Sequence, residues 1–152
     1  MDGSSARLTG VLMNKNRILV VDDNVNSTRI SRLILERTGR YEVRELNDPR
    51  ALLRVAREFG PDLFLLDVCM PDIGGSEVAE CIHNDPSFAA TPIVFLTCIV
   101  TPRETGKNGT TIIGQHEYMA KPAEPEKLVA CIERNLERVR RRSSADQFAL
   151  RS

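Results

Sequence analysis

Short buried-strand patterns alternate with amphipathic helix patterns along this chain from Arg17 onward. Two compact apolar runs, "RILVVDD" and "DLFLLD", are each typical of a strand that is covered on both faces. Two longer stretches, "NSTRISRLILERTG" and "EPEKLVACIERNLERVRRR", place apolar residues at helical spacing. Alternation of this kind predicts a doubly wound α/β fold with five parallel strands and helices on both faces of the sheet.

Helix boundaries are also readable from the sequence. For the first helix, Asn26 or Ser27 is a candidate N-cap, and Gly39 is a candidate end. The stretch "DPRALLRVAREFG" predicts a second helix that is capped by Asp48 and closed by Gly60. Its predicted inner side is Leu52, Val55, Ala56 and Phe59, and that of the last helix is Leu128, Ile132, Leu136 and Val139.

Length and composition favour one globular domain. The chain has 152 residues, of which 41% are hydrophobic, enough for one sizeable core. We interpret residues 1–15 as a flexible leader, 16–142 as the folded domain and 143–152 as a C-terminal tail. The formal net charge of +0 gives no bulk signal for nucleic acid or membrane. The four cysteines form no CxxC pair, and the start lacks the apolar region of a signal peptide, so we expect a cytoplasmic protein.

Polar residues of types that bind metals or take part in group transfer lie at the ends of the predicted strands. In open α/β sheets, sites form outside the carboxyl ends of the strands, so residues far apart in sequence meet there. These residues are Asp22 and Asp23 after the first strand, Asp67 after the third, Thr97 at the end of the fourth and Lys121 after the fifth.

Three carboxylates at one edge of a sheet repel one another unless a cation lies among them. Mg²⁺ suits such a site because it prefers oxygen ligands. A lysine adds a point charge suited to a phosphoryl group, and a threonine adds one hydroxyl donor. This set predicts phosphoryl transfer onto a carboxylate oxygen. The chain has no Gly-rich phosphate loop, so we do not expect it to hold ATP.

The motifs in order resemble those of response-regulator receiver domains, the phospho-accepting half of two-component signalling. The resemblance extends from about residue 17 to residue 138 and implies the flavodoxin-like strand order 2-1-3-4-5. The motifs are "ILVVDD" with Asp22 and Asp23, "DVCMPDIGG" beginning at Asp67, "IVFLT" ending at Thr97, and "YMAKP" with Tyr118 and Lys121.

The resemblance implies a role for each motif residue. Asp67 is the implied phosphoacceptor. Asp23 and Asp67 are implied direct Mg²⁺ ligands together with the backbone carbonyl of Cys69, and Asp22 is implied to act mainly through a metal-bound water. Lys121 is implied to pair with Asp67 and then with the phosphoryl group.

The implied function is a switch that takes phosphate from a histidine kinase or phosphotransfer protein and then changes its binding to a downstream partner. Thr97 is implied to move toward the phosphoryl group, with Tyr118 turning inward behind it. The resemblance also implies a cis peptide bond between Lys121 and Pro122 and, because Cys69 and Ile99 orient water poorly, slow loss of the phosphoryl group.

Three alternatives remain open at this point. The chain is compatible with the receiver of a longer DNA-binding regulator. A receiver-like protein that never takes phosphate is disfavoured by the complete acidic set with Lys121 and Thr97. An aspartyl-phosphate phosphohydrolase is disfavoured, because Cys69 stands where those enzymes commonly carry a second Asp. We therefore expect a switch rather than an enzyme, with no membrane contact and no direct nucleic-acid binding.

The segment between Thr97 and Tyr118 departs from the receiver pattern. It contains Pro102 and several glycines, and its "TTII" run is β-branched, so a regular helix is disfavoured there. We predict a short or irregular helix, with "KNGTTIIG" as a mobile loop or hairpin-like excursion that offers Ile112 and Ile113 as apolar contacts.

Two further features are expected to be plain surface. The histidines His83 and His116 lack a metal-ligand partner at helical spacing. The basic run "RVRRR", residues 138–142, has the composition of a nucleic-acid contact, but it is more often a solvated helix end.

Overall fold

The structure is a computed structural model that describes residues 15–68, 74–97, 110–113 and 116–151. Its strands are β1 (Asn16–Val21), β2 (Tyr41–Leu46), β3 (Leu63–Leu66), β4 (Ile93–Thr97), β5 (Thr110–Ile113) and β6 (His116–Ala120). Its α-helices are α1 (Val25–Arg37), α2 (Leu52–Phe59), α3 (Gly75–Asn84) and α4 (Pro125–Arg151), and a 3-10 turn (Pro49–Ala51) precedes α2.

The strands form one sheet in the order β2-β1-β3-β4-β6-β5. Neighbours from β2 to β6 are parallel, so β2, β1, β3, β4 and β6 are the predicted parallel strands in the predicted order 2-1-3-4-5. This confirms the doubly wound α/β fold. Parallel order also places the carboxyl ends of these strands at one edge of the sheet.

The sheet differs from the prediction by one strand. β5 pairs antiparallel with β6, with Thr110 opposite Met119 and Ile113 opposite His116. The sheet is therefore six-stranded and mixed rather than five-stranded and parallel. β-branched residues favour extended backbone, which accounts for a strand at "TTII" and agrees with the hairpin-like excursion. The helix predicted from Pro102 lies outside the described residues.

Two apolar clusters cover the two faces of the sheet. One face packs against α2 and α3, and all four predicted inner residues of α2 are buried there. The other face packs against α1 and α4, where Leu128, Ile132 and Leu136 are buried as predicted. Val139, the fourth predicted residue of that stripe, is only partly buried. Strands covered on both faces explain the continuous apolar runs in β1 and β3.

Two helix ends differ from the sequence interpretation. α4 continues to Arg151, through most of the predicted tail at residues 143–152. Asn24, rather than Asn26 or Ser27, is the N-cap of α1, and its side chain accepts from the backbone N–H groups of Asn26 and Ser27. Within the described residues, no helix combines the length and apolar character needed to cross a bilayer.

Replacing Asn24 with alanine is expected to lower the free energy of unfolding by about 1 kcal/mol, because two N–H groups at the start of α1 lose their acceptor. Urea unfolding measures this change. Asn26→Ala is the matched control, since Asn26 is exposed and contributes only its backbone N–H to the cap. A larger loss in the Asn26 variant would contradict the assignment of the cap.

Candidate functional site

The candidate site lies at the carboxyl edge of the parallel strands, where the ends of β1, β3, β4 and β6 meet. Backbone hydrogen bonds hold these ends in register: Asp67 N–H donates to the Val21 carbonyl (3.0 Å) and Lys121 N–H donates to the Thr97 carbonyl (2.9 Å). The predicted convergence of site residues on this edge is therefore present in the structure.

The three predicted carboxylates form one cluster. Each of Asp22, Asp23 and Asp67 offers a carboxylate oxygen within 4.8 Å of the others. Asp22 and Asp67 are largely buried, with 3% and 8% of their surface exposed, whereas Asp23 faces solvent. Carboxylates this close repel one another, and burial strengthens the repulsion.

Lys121 supplies the positive charge of the cluster. Its Nζ donates to Asp22 Oδ2 at 2.6 Å and lies 3.8 Å from Asp67 Oδ1. The lysine was predicted to pair with Asp67, and the structure places it nearer to Asp22. The Lys121–Pro122 peptide bond is cis, which confirms that prediction.

Asp22 is held in position by a backbone N–H group and a side-chain amide that were not predicted as site residues. The backbone N–H of Asn24 donates to Asp22 Oδ1 (3.0 Å), and Asn47 Nδ2 donates to the Asp22 carbonyl (2.8 Å). Asn47 follows β2 directly, so its place after a strand was the signal that could have identified it.

The two predicted switch residues lie on neighbouring strands. Thr97 is fully buried at the end of β4. Tyr118 is partly buried on β6, and its ring stacks on Phe95 with 4.7 Å between centroids. Thr97 therefore belongs to the carboxyl edge with Asp67 and Lys121, and Tyr118 lies two residues before the end of the next strand.

The donor set fits a hard divalent cation. Three carboxylate oxygens close together, one of them from an exposed residue, match the preference of Mg²⁺ for oxygen ligands and retained water. Asp22, Asp23 and Asp67 are the residues that would hold the ion. The predicted fourth ligand, the backbone carbonyl of Cys69, lies outside the described residues, as does Ile99.

The start of α3 lies very close to the backbone of Asp67 and Val68. A Cβ atom at Gly75, the first residue of α3, would lie 2.6 Å from the Asp67 carbonyl oxygen and 2.7 Å from Val68 Cα. The Gly75 N–H also donates to the Val68 carbonyl at 2.8 Å. Glycine at this position therefore lets the start of α3 pack directly against the backbone of Asp67 and Val68.

Gly75→Ala is expected to destabilise the fold by roughly 1 to 3 kcal/mol, because the new methyl group meets backbone atoms that cannot rotate away. Thermal or urea unfolding measures the loss. Gly74→Ala is the control, since a Cβ there has ordinary contact only, with Glu77 Oε1 at 3.9 Å. Equal stability of the two variants would show that the approach of α3 to Asp67 is looser than described.

Comparison of the sequence with known proteins places the chain among response regulator receiver domains. A family profile described as "Response regulator receiver domain" matches residues 18–133. Protein RcaC of Microchaete diplosiphon is 32% identical over 125 residues, and the DNA-binding response regulator MtrA of Mycobacterium tuberculosis is 31% identical over 130 residues. Each alignment covers 82% of this chain.

Solved structures show the same fold. Chemotaxis protein CheY4 of Vibrio cholerae superposes with a TM-score of 0.66 at 28% identity, covering 79% of this chain and 98% of that chain. The receiver domain of a signal transduction histidine kinase from Syntrophus aciditrophicus gives 0.66 at 25% identity, covering 83% and 93%. By contrast, this chain spans 19% of RcaC and 52% of MtrA, so those relatives contain further sequence.

Proposed function

Since this chain belongs to the response regulator receiver domain family, we propose that it is a phosphorylation switch whose phosphoacceptor is Asp67. The observation that carries the proposal is the cluster of Asp22, Asp23 and Asp67 with Lys121 Nζ reaching two of its members. The donor is a histidine kinase or a phosphotransfer protein, and the chain works in the cytoplasm by changing its affinity for a downstream protein.

The chemistry follows from the charges at the carboxyl edge. An oxygen of Asp67 attacks the phosphorus of a phosphohistidine, an O–P bond forms, and the N–P bond breaks with its electron pair left on the imidazole, which then takes a proton. Asp22, Asp23 and Asp67 would hold a Mg²⁺ ion, which would supply positive charge to the phosphoryl oxygens during this transfer. Lys121 Nζ, 3.8 Å from Asp67 Oδ1, lies close enough to meet a phosphoryl oxygen once it is attached.

Phosphorylation turns a carboxylate beside Lys121 into a larger anion with more acceptor oxygens. We propose that Thr97 donates its hydroxyl to one of these oxygens, and that Tyr118 then shifts from its stacked position on Phe95. A ligand group moves such an equilibrium only by its better contacts in one of the two states. The burial of Thr97 at the end of β4 and the partly buried position of Tyr118 against Phe95 support these two roles.

The proposal is tested by treating the purified chain with acetyl phosphate and following its intact mass, with and without Mg²⁺. One phosphoryl adduct that forms only with Mg²⁺, and maps to Asp67 after trapping with hydroxylamine or borohydride, is the expected result. No adduct in either condition would refute the switch and favour a receiver-like protein that never takes phosphate.

The phosphoryl group is expected to persist for minutes or longer, and the chain is proposed to be a switch rather than a phosphatase. The reason is that Cys69 and Ile99, two positions after Asp67 and Thr97, have poor side chains for orienting an attacking water. Phos-tag gels of the phosphorylated chain over time measure the half-life. Loss within seconds would contradict the expectation.

A second candidate is the receiver of a longer DNA-binding regulator. The 31% identity to MtrA, of which this chain spans 52%, favours it. The mass of the native protein on an immunoblot separates this candidate from a stand-alone switch, because an output domain makes the native protein larger than the present chain.

A further inference from the structure

A cavity of about 590 Å³ lies at the opposite edge of the sheet from Asp67, where β4 and β6 begin. Its walls come from the end of α3, from residues 89–93 and from one side of α4. This volume falls within the range of small-molecule pockets, roughly 300 to 1,000 Å³. The proposed phosphorylation at the carboxyl edge makes no use of this cavity.

Positive and titratable side chains line the cavity. His83 from α3, His116 from β6, and Arg138 and Arg142 from α4 all face it, and its described lining contains no carboxylate. Arg138 and Arg142 are one helical turn apart, so their like charges repel slightly. Other arginines of α4 are paired: Arg134 with Glu117, and Arg140 and Arg141 with Glu137. No ion pair of Arg138 or Arg142 occurs among the described residues.

The two histidines were expected at the surface, but the structure stacks them. Their ring centroids are 5.2 Å apart with an interplanar angle of 12°. His116 is partly buried, and its Nε2 atom is buried without a hydrogen-bond partner in the described part of the chain. A buried nitrogen of this kind costs free energy unless a ligand or water meets it.

Asn135 on α4 also lines the cavity, and two hydrogen bonds hold its side chain. Asn135 Nδ2 donates to Glu117 Oε1 (3.0 Å) and to the Cys131 carbonyl (2.8 Å). Because Asn135 lies one helical turn before Arg138 and is buried, its bond to Glu117 on β6 holds this part of the α4 backbone in place beside the cavity. The side chains of Arg138 and Arg142 are exposed, and they extend from this fixed helix.

We propose that this cavity binds a small-molecule oxyanion, a metabolite that carries phosphate or carboxylate groups. The guanidinium groups of Arg138 and Arg142 pair with the oxyanion, since arginine suits the planar, two-point recognition of phosphate and carboxylate. The His116 ring lines the same cavity and adds positive charge beside the ligand when its imidazole is protonated. The cavity is open on one side, and its volume of about 590 Å³ suits a small molecule rather than nucleic acid.

Protonation of His116 accompanies binding. Burial, and after it the nearby His83, lowers the pKa of His116 in the free chain, so the ring is neutral at neutral pH. The other charged groups around it are Arg138 and Arg142 across the cavity, and Glu117 next to it on β6, which is held by Arg134. An oxyanion stabilises the imidazolium form, and binding therefore tightens as pH falls.

The full chain offers a direct readout, because its two histidines are both in the cavity wall. The imidazole carbon-bound protons are followed by NMR in magnesium-free buffer at physiological ionic strength, while pyrophosphate or citrate is added. Saturable shifts of the His116 signal, larger at lower pH, are expected. The tighter of the two probes identifies the phosphate or the carboxylate class.

The matched variants are Arg138→Gln with Arg142→Gln, and Arg140→Gln with Arg141→Gln. The first pair removes two charge-assisted contacts and is expected to weaken probe binding by about tenfold or more. The second pair makes the same change in net charge, and its affinity for the probe is expected to stay within about twofold of the native value. No saturable shift in the native chain, or equal weakening in both pairs, would overturn the proposal. Neither outcome bears on phosphorylation of Asp67, which the intact-mass assay tests separately.

Discussion

Asp67→Asn is expected to abolish phosphate incorporation from acetyl phosphate in the presence of Mg²⁺. The amide keeps the size of the side chain but removes the anionic oxygen that attacks phosphorus, and it removes one charged ligand from the acidic cluster. Intact mass of the treated variant measures the result. An adduct equal to that of the native chain would refute Asp67 as the phosphoacceptor.

Asp62→Asn is the matched control for this experiment. Asp62 directly precedes β3, whereas Asp67 directly follows it, so the control changes an aspartate at the opposite end of the same strand. Its carboxylate accepts from the Arg17 backbone N–H at 2.8 Å and is exposed. Native-like incorporation is expected in this variant, because it leaves the carboxyl edge unchanged.

Lys121→Met is expected to lower the free energy of unfolding by about 3 kcal/mol in magnesium-free buffer, at the lower end of the range for breaking buried ion pairs. Its Nζ lies 2.6 Å from Asp22 and 3.8 Å from Asp67, and both carboxylates are largely buried. Without the ammonium group, the two carboxylates repel each other with no compensating charge. The lysine side chain is 18% exposed, which limits the loss.

Adding Mg²⁺ is expected to restore part of the stability of this variant, because an ion that binds only the folded state stabilises it. Urea unfolding with and without Mg²⁺ measures both effects. Lys127→Met is the control: its side chain is 41% exposed and pairs with an exposed Glu124, so a change within about 0.5 kcal/mol is expected. A Lys121 variant as stable as the native chain without Mg²⁺ would contradict the electrostatic account of the site.

Much of the fold follows from the spacing of apolar residues. The runs in β1 and β3 are apolar without alternation because both faces of these strands are buried, and the four inner residues of α2 lie at helical spacing and are all buried. Strand order then brings Asp22, Asp67, Thr97 and Lys121 to one edge. A polar residue at the end of a strand or directly after it was sufficient to identify each of these positions.

Local patterns did not decide between neighbouring candidates. Asn24 and Asn26 are equally good capping residues, and the backbone angles after β1 select Asn24. In α1, Ile30 and Leu33 are exposed, while Thr28 and Ser31 are buried. Helical spacing gives the relative positions of side chains, but the side that faces the sheet depends on partners elsewhere, here Glu45 and Asn47, which bond to Thr28.

The sequence by itself determined the fold class and the acidic residues at the carboxyl edge, because periodicity and strand-end position are properties of short segments. The phosphoacceptor role of Asp67 is what the resemblance to receiver domains implies. The tertiary structure alone decided that Lys121 lies nearer to Asp22 than to Asp67, and that His83 stacks on His116 beside Arg138 and Arg142. Each of these contacts joins segments distant in the chain. Their distances depend on how whole helices and strands pack, which no local pattern encodes.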